Sequence, residues 1–265
     1  YLKYENDKFS KSNGVGVFGD MAESTKIPCE VWRYYLLSVR PETSDTDFKW
    51  DDFVARNNNE LLANVGKLVN RVLMFTEKNF KGKIPKYTED KVTDIEKDFF
   101  KNVLAKFKQY VKLLRNADIK DGIKTFMEIS TLGNGYMQVT EPWNLLKKKD
   151  EKFDEVKAET VFYILTAFTR FLGALSEPYM SSFSAKLYEI MNVKYDESAC
   201  KILGTIYEFI EKNPNDELLF LIKNKLIEEG QQINKPKPLF KKISQEECEE
   251  FKNKFKGTKY MIFNK

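Results

Sequence analysis

Between Asp51 and Phe80 the apolar residues return every three or four positions. Leu61, Leu62, Val65, Leu68, Val69, Val72 and Leu73 fall on one face of a helix. A stripe of this kind is stable only when another element covers it. The same spacing recurs downstream. Phe99, Leu104, Phe107, Val111 and Leu114 mark a helix over about 91–115, with Thr88 or Asp90 as its cap. Ile123, Phe126, Ile129 and Leu132 mark another over 119–139. Helical patterns follow at about 153–176, 181–192, 197–212 and 245–256, while the apolar stretch 218–229 suits helix or strand. Breaks fall at "KGKIPKYTED", "NADIKDG" and "VTEPWNLLKKKDEK", each with glycine, proline or charged turn chemistry. Beyond residue 50 the expected fold class is therefore all-α, a helical bundle whose short connections make neighbours antiparallel.

The first fifty residues read differently. An extended start (Tyr1, Leu2, Lys3, Tyr4) leads into "KFSKSNGVGVFGD", a loop rich in lysine, serine and glycine. Pro28 suits the first turn of a helix over "CEVWRYYLLSVR", which buries Val31, Tyr34, Tyr35 and Leu36 and stops before Pro41. "PETSDTDFKW" reads as a polar loop with an aromatic end. Trp32, Arg33, Phe48 and Trp50 are expected to pack this region. The expected division is a connector over 1–50 and a helical domain over 51–265. A start at Tyr1, inside an alternating pattern, reads as a chain cut from a longer protein.

Composition removes several chemistries. The chain has no histidine, so it holds no Ser-His-Asp triad and lacks the commonest general base and metal ligand. Cys29, Cys200 and Cys248 are far apart and form no CxxC pair, so neither a metal site nor a disulfide framework is expected, and a reducing compartment fits. The net charge of +4 permits an anionic partner without demanding one. No run of about 18 apolar residues suggests a membrane span.

The order of the parts carries more than any one of them. "KFSKS", then "GVGVFGD", then "IPCEVWRYYLLSVRPETSDTDFKW", then "NNNELLANVGKLVNR" and finally "VTEPW" resembles the methionyl-tRNA synthetases of the eukaryotic or archaeal type, from their KMSKS loop through the anticodon-binding domain. Phe9 stands where that signature has methionine and keeps the position apolar. The resemblance covers essentially the whole chain. The family's HIGH signature cannot lie in a chain without histidine, so the resemblance implies that the catalytic Rossmann domain lies outside it.

What the resemblance implies is specific. Lys8 and Lys11 would be the catalytic cations, contacting ATP phosphates together with Ser10 and Ser12. Either serine can instead close the loop on its own backbone. With the catalytic domain absent, the loop is expected to be disordered and inert. Arg71 and Trp143 would read a CAU anticodon, the arginine by base edges and the indole by stacking. Many members carry an asparagine one turn before that arginine. Here Lys67 stands there, and lysine has no acceptor, so either the base contact differs or the neighbouring Asn64 or Asn70 takes part. Asn134 and Tyr136 would support the loop, and Lys78, Lys81, Lys83 and Lys147 to Lys149 would flank the site. ATP is implied as a substrate and methionine tRNA as the partner of a monomeric, cytoplasmic chain. The residues alone leave open a helical tRNA-binding or protein-interaction module without catalytic activity.

Overall fold

Helices occupy the stretches in which apolar residues recur every three or four positions, and some begin at a side chain that caps the first free amides, as Thr93, Asp154 and Ser244 do. In the computed structural model, residues 1–193, 199–213, 220–224 and 226–257 are described. In chain order the elements are β1 (Leu2–Tyr4), α1 (Gly19–Glu23), α2 (Cys29–Ser38), β2 (Thr46–Phe48) and α3 (Trp50–Arg56). A π-helical stretch (Asn57–Gly66) leads into α4 (Lys67–Phe80), and a short turn (Glu89–Lys91) precedes α5 (Asp94–Arg115). Then come α6 (Ile119–Thr140), α7 (Pro142–Leu145), α8 (Glu155–Ser176), α9 (Ser181–Ile190), α10 (Ala199–Lys212), α11 (Phe220–Lys223) and α12 (Gln245–Phe255). The fold class is all-α, as expected; the described strands are two three-residue segments paired in parallel, Leu2 opposite Thr46 and Tyr4 opposite Phe48.

Five local expectations change, the first at Leu36, which is exposed on α2 where burial was expected. The polar loop over 41–50 contains β2, because the polar, half-buried Thr46 and Asp47 disguise a strand whose buried Phe48 stacks on Tyr4. The single helix over 51–80 is α3, a wide π-helical stretch and α4. At Asn57 and Asn58 the wider coil lets both carboxamides donate to the backbone of Lys241 and Ile243, at 2.9 and 2.8 Å. The cap of α5 is Thr93, not Thr88 or Asp90: its hydroxyl and Glu96 form a reciprocal capping box. Of the ambiguous stretch 218–229, Phe220–Lys223 is helical and part lies outside the described residues, as does the start of the expected 197–212 helix.

The chain divides into two compact units, 1–63 with 240–265, and 64–239. This is not the expected division at residue 50. The reason is that α12 returns to the first unit, where Phe251 and Phe255 stack on Trp50 at centroid distances of 5.0 and 5.9 Å. Lys252 meets Asp51 at 2.7 Å in the same place. The buried Trp50 also donates its indole N–H to Tyr4 Oη (2.8 Å), and its backbone amide donates to Glu5 (2.8 Å). Trp32 lies over Phe53 (4.6 Å) and stacks on Phe48 (5.8 Å), as the sequence suggests for the connector.

In the second unit α8 is the core helix. It is long and apolar enough to cross a membrane, yet it is buried on all sides by its neighbours. Gly133 on α6 allows close approach: a Cβ there would fall 2.2 Å from the Phe168 ring of α8 and 2.8 Å from Leu68 of α4. Below this contact lies a fully buried carboxylate. Glu96 accepts from Lys157 (2.6 Å), the Thr93 amide and hydroxyl (both 2.7 Å) and Tyr136 Oη (3.0 Å). Burial alone would raise its pKa, but the hydrogen bonds from Lys157 and Thr93 prevail and hold it below the usual glutamate value.

Because the folded pKa lies below the unfolded one, this carboxylate stabilises the unit fully above about pH 4.3. The contribution is lost as pH falls through the lower folded value. Glu96→Gln is expected to cost about 3 kcal/mol at neutral pH and to flatten the acid limb of the stability profile. Urea unfolding between pH 3 and 7, followed by circular dichroism, measures both.

Candidate functional site

Trp143 is presented by a corner. α6 ends at Glu141, which takes up a left-handed backbone conformation (φ +40°), and Pro142 then opens the short α7. The Glu141 carboxylate accepts from Lys152 at 2.8 Å and from Asn144 at 3.3 Å, which closes the corner. Trp143, the second residue of α7, is half-buried. The guanidinium of the exposed Arg71, on α4, lies 5.4 Å from the centroid of its ring. This cation–π contact joins two residues 72 positions apart in the chain and is worth about 0.5–1 kcal/mol where solvent reaches it.

The other expected readers separate. Lys67 is exposed one turn before Arg71, and Asn70 is half-buried beside it. Asn64 is committed elsewhere: its amide donates to Met127 O (3.0 Å) and Thr131 Oγ1 (3.1 Å), and its carbonyl accepts from Asn134 (2.9 Å). It ties α6 to the start of α4 rather than presenting a free edge. Asn134, expected to support the loop of Trp143, donates to Asn64, and Tyr136 donates to Glu96. Of the flanking lysines, Lys78, Lys81 and Lys83 are exposed, as are Lys147 to Lys149, and Lys147 bonds Asn144 at 2.7 Å. Sequence reasoning missed Glu141 and Lys152. Glutamate rarely adopts positive φ, and only the Pro142 that follows it marked a corner.

The lysine loop, in the first unit, has a defined turn where disorder was expected. Ser10 and Val15 exchange backbone hydrogen bonds (3.0 and 2.9 Å) around the four residues Lys11–Gly14. Lys8, Lys11 and Ser12 are exposed. The Ser10 hydroxyl accepts from the Asn13 amide (3.3 Å), so it closes the turn on its own backbone. Phe9 anchors the stem, its ring 5.5 Å from Tyr4 and 6.0 Å from Phe18. Gly16, at φ +110°, leaves the space that this ring fills.

An exposed guanidinium over a half-exposed indole, at a helix corner with lysines around it, suits unpaired bases: one group bonds edges and the other offers a π-face. A turn with a lysine at its tip suits phosphates. Residues 1–73 match the family model for class I tRNA synthetases (M). Residues 84–260, more than half of the chain, match the anticodon-binding domain of methionyl tRNA ligase. These matches place the chain among the class I tRNA synthetases. Within that class, it belongs to the methionyl-tRNA ligase family.

A cytoplasmic methionine–tRNA ligase of Xenopus laevis is 36% identical over 257 residues, which is 97% of this chain and 26% of that protein. A probable cytoplasmic methionine–tRNA ligase of Dictyostelium discoideum is 39% identical over 260 residues, 97% of this chain and 32% of its own length. The chain thus spans about a quarter to a third of these relatives. The fold is similar to that of Mycobacterium tuberculosis methionyl-tRNA synthetase bound by methionyl-adenylate, with a TM-score of 0.71 and 18% identity over 91% of this chain and 43% of that one.

The Arg71 contact can be tested in solution. Arg71→Ala is expected to make Trp143 more accessible, so that acrylamide quenches the tryptophan fluorescence more strongly. The increase should vanish in the Arg71→Ala, Trp143→Phe double variant, which leaves only Trp32 and Trp50.

Proposed function

We propose that this chain is the part of a cytoplasmic methionine–tRNA ligase that reads the CAU anticodon of methionine tRNA and supplies a lysine loop to ATP-dependent methionine activation. The observation that carries the reading is the Arg71 guanidinium 5.4 Å from the Trp143 ring, on a half-exposed corner. An anticodon base stacked on this indole gains about 1–3 kcal/mol. Arg71 then donates two parallel bonds to a base edge, its position already set by the ring. Lys67 donates to a base or phosphate one turn away, and Asn70 supplies the acceptor that lysine lacks. Asn64 acts from below, by fixing α6 against α4. The lysines on both flanks neutralise phosphates and make binding salt-dependent.

In the loop, Lys11 stands at the turn's tip, and Lys8 at its base. When the methionine carboxylate attacks the α-phosphate, negative charge gathers on the departing pyrophosphate. An ammonium group brought to it at that moment lowers the barrier. Ser12, whose hydroxyl lies 3.4 Å from that of Ser10, donates to a phosphate oxygen, while Ser10 holds the turn. The matching methionine–tRNA ligases are three to four times longer than this chain, so the rest of the activation site belongs to a catalytic domain outside it.

Two measurements test the reading. A CAU anticodon stem-loop is expected to bind this chain at least about tenfold more tightly than a control stem-loop, and Trp143→Ala is expected to remove the difference. Equal binding of both by the unaltered chain would favour a protein-interaction module instead. In the whole ligase, Lys11→Ala is expected to slow pyrophosphate exchange about 100-fold, with the KM for methionine unchanged. Unaltered exchange would remove Lys11 from the mechanism.

A further inference from the structure

The turn that carries Lys11 is held from outside by a segment more than 230 positions away in the sequence. Val15 bonds Ser10 on one side, which closes the turn, and pairs in antiparallel register with Lys256 on the other. The Gly16 amide donates to Phe255 O at 3.1 Å. The end of α12 and the two residues after it thus lie along the loop's stem, with Lys256 still in a helical backbone conformation. Gly257 makes the closest approach. Its φ is +78°, and a Cβ there would fall 2.5 Å from Asn13 O and 2.6 Å from Val15 Cγ2. Only glycine meets both demands, the backbone one and the steric one. From the loop's side, Gly14 faces the Gly257 Cα, which lies 3.8 Å from where a Gly14 Cβ would be.

The clasp is itself anchored. Phe251 and Phe255 stack on Trp50, Lys252 meets Asp51, and Lys254 donates to Ser24 at 2.9 Å. The end of α12 therefore has a fixed position in the first unit, and it transfers that position to Val15. The opposite side of the stem is fixed by Phe9, whose ring occupies the space Gly16 leaves.

We propose that Phe255–Gly257 form a backbone clasp that sets the register of the lysine loop, confines its movement to the Lys11–Gly14 tip, and makes Gly257 a positioning residue for Lys11. The consequence for catalysis rests on the role given to Lys11 above; the clasp itself does not. A slip of the stem by one residue would turn its side chains to the opposite face and carry the tip with them. Holding the stem means that closure of the tip onto phosphate orders four residues rather than the whole loop, which lowers its entropic cost.

The test uses amide hydrogen exchange on this chain, with no nucleotide present. In Gly257→Val, the amides of Ser10, Val15 and Gly16 are expected to exchange at least tenfold faster, while those of α2 and α3 keep their protection. Unchanged loop protection in a folded variant overturns the proposal. Should Gly257→Val unfold the first unit, seen as loss of the Trp50 environment in fluorescence, a chain ending at Phe255 decides. It keeps all of α12 and loses residues 256–265, Lys256 and Gly257 among them. Fast loop exchange in an otherwise protected unit supports the clasp; a slow loop, or an unfolded unit, overturns it. Since no activity is read, failure here leaves the Lys11 role standing. Unaltered pyrophosphate exchange in Lys11→Ala, conversely, leaves the clasp standing.

Discussion

The first unit depends on one buried indole. Trp50 is fully buried, and Tyr4, Phe48, Phe53, Phe251 and Phe255 pack against it or bond it. Its N–H finds Tyr4 Oη, so burial leaves no polar atom unsatisfied there. Burying a side chain of this size removes roughly 200 Å² from water, about 5 kcal/mol at the usual coefficient. That gain is available only if α12 comes back from the far end of the chain to stack on it. The loop's geometry is downstream of the same contact, because α12 ends in the residues that pair with Val15. A reactive-looking surface loop thus takes its shape from an aromatic core.

The second unit solves a different problem. α8 is buried around its whole circumference over most of its length and has to be covered by several helices at once. Gly133 lets α6 come close, and Tyr136 and Glu96 lock α5 to α6 through a carboxylate whose four hydrogen bonds offset its burial. This rigid packing lets a short helix, α7, hold an indole half in solvent under an arginine. Recognition of unpaired bases needs that combination: a flat ring that stays put and a fork of donors already oriented toward it.

The sequence made most helices legible because their periodicity is long and regular. Stripes such as Phe99, Leu104 and Phe107 have no other stable outcome. The pairing of Arg71 with Trp143 was readable only through resemblance, since nothing in the spacing of an arginine and a tryptophan 72 residues apart says that they touch. Asn64 shows the limit on the other side. Three consecutive asparagines and a fourth nearby look alike in sequence, yet Asn57 and Asn58 bond the 241–243 backbone while Asn64 bonds α6. Carboxamides are committed by whichever backbone groups arrive beside them, and that is a tertiary fact. β2 was missed because a three-residue strand is too short to show alternation.

By itself, the sequence determined the helical class, the absence of histidine-based chemistry, and the residues available to a phosphate or a base. These follow from local periodicity and from the inventory of side chains, which need no knowledge of distant neighbours. Tertiary structure alone decided the division into units, the left-handed corner at Glu141 and the hold of Phe255–Gly257 on the lysine loop. Each depends on backbone groups brought together from far apart in the chain. A hydrogen bond between remote backbone atoms leaves almost no mark on residue identity, apart from a glycine where a Cβ would not fit.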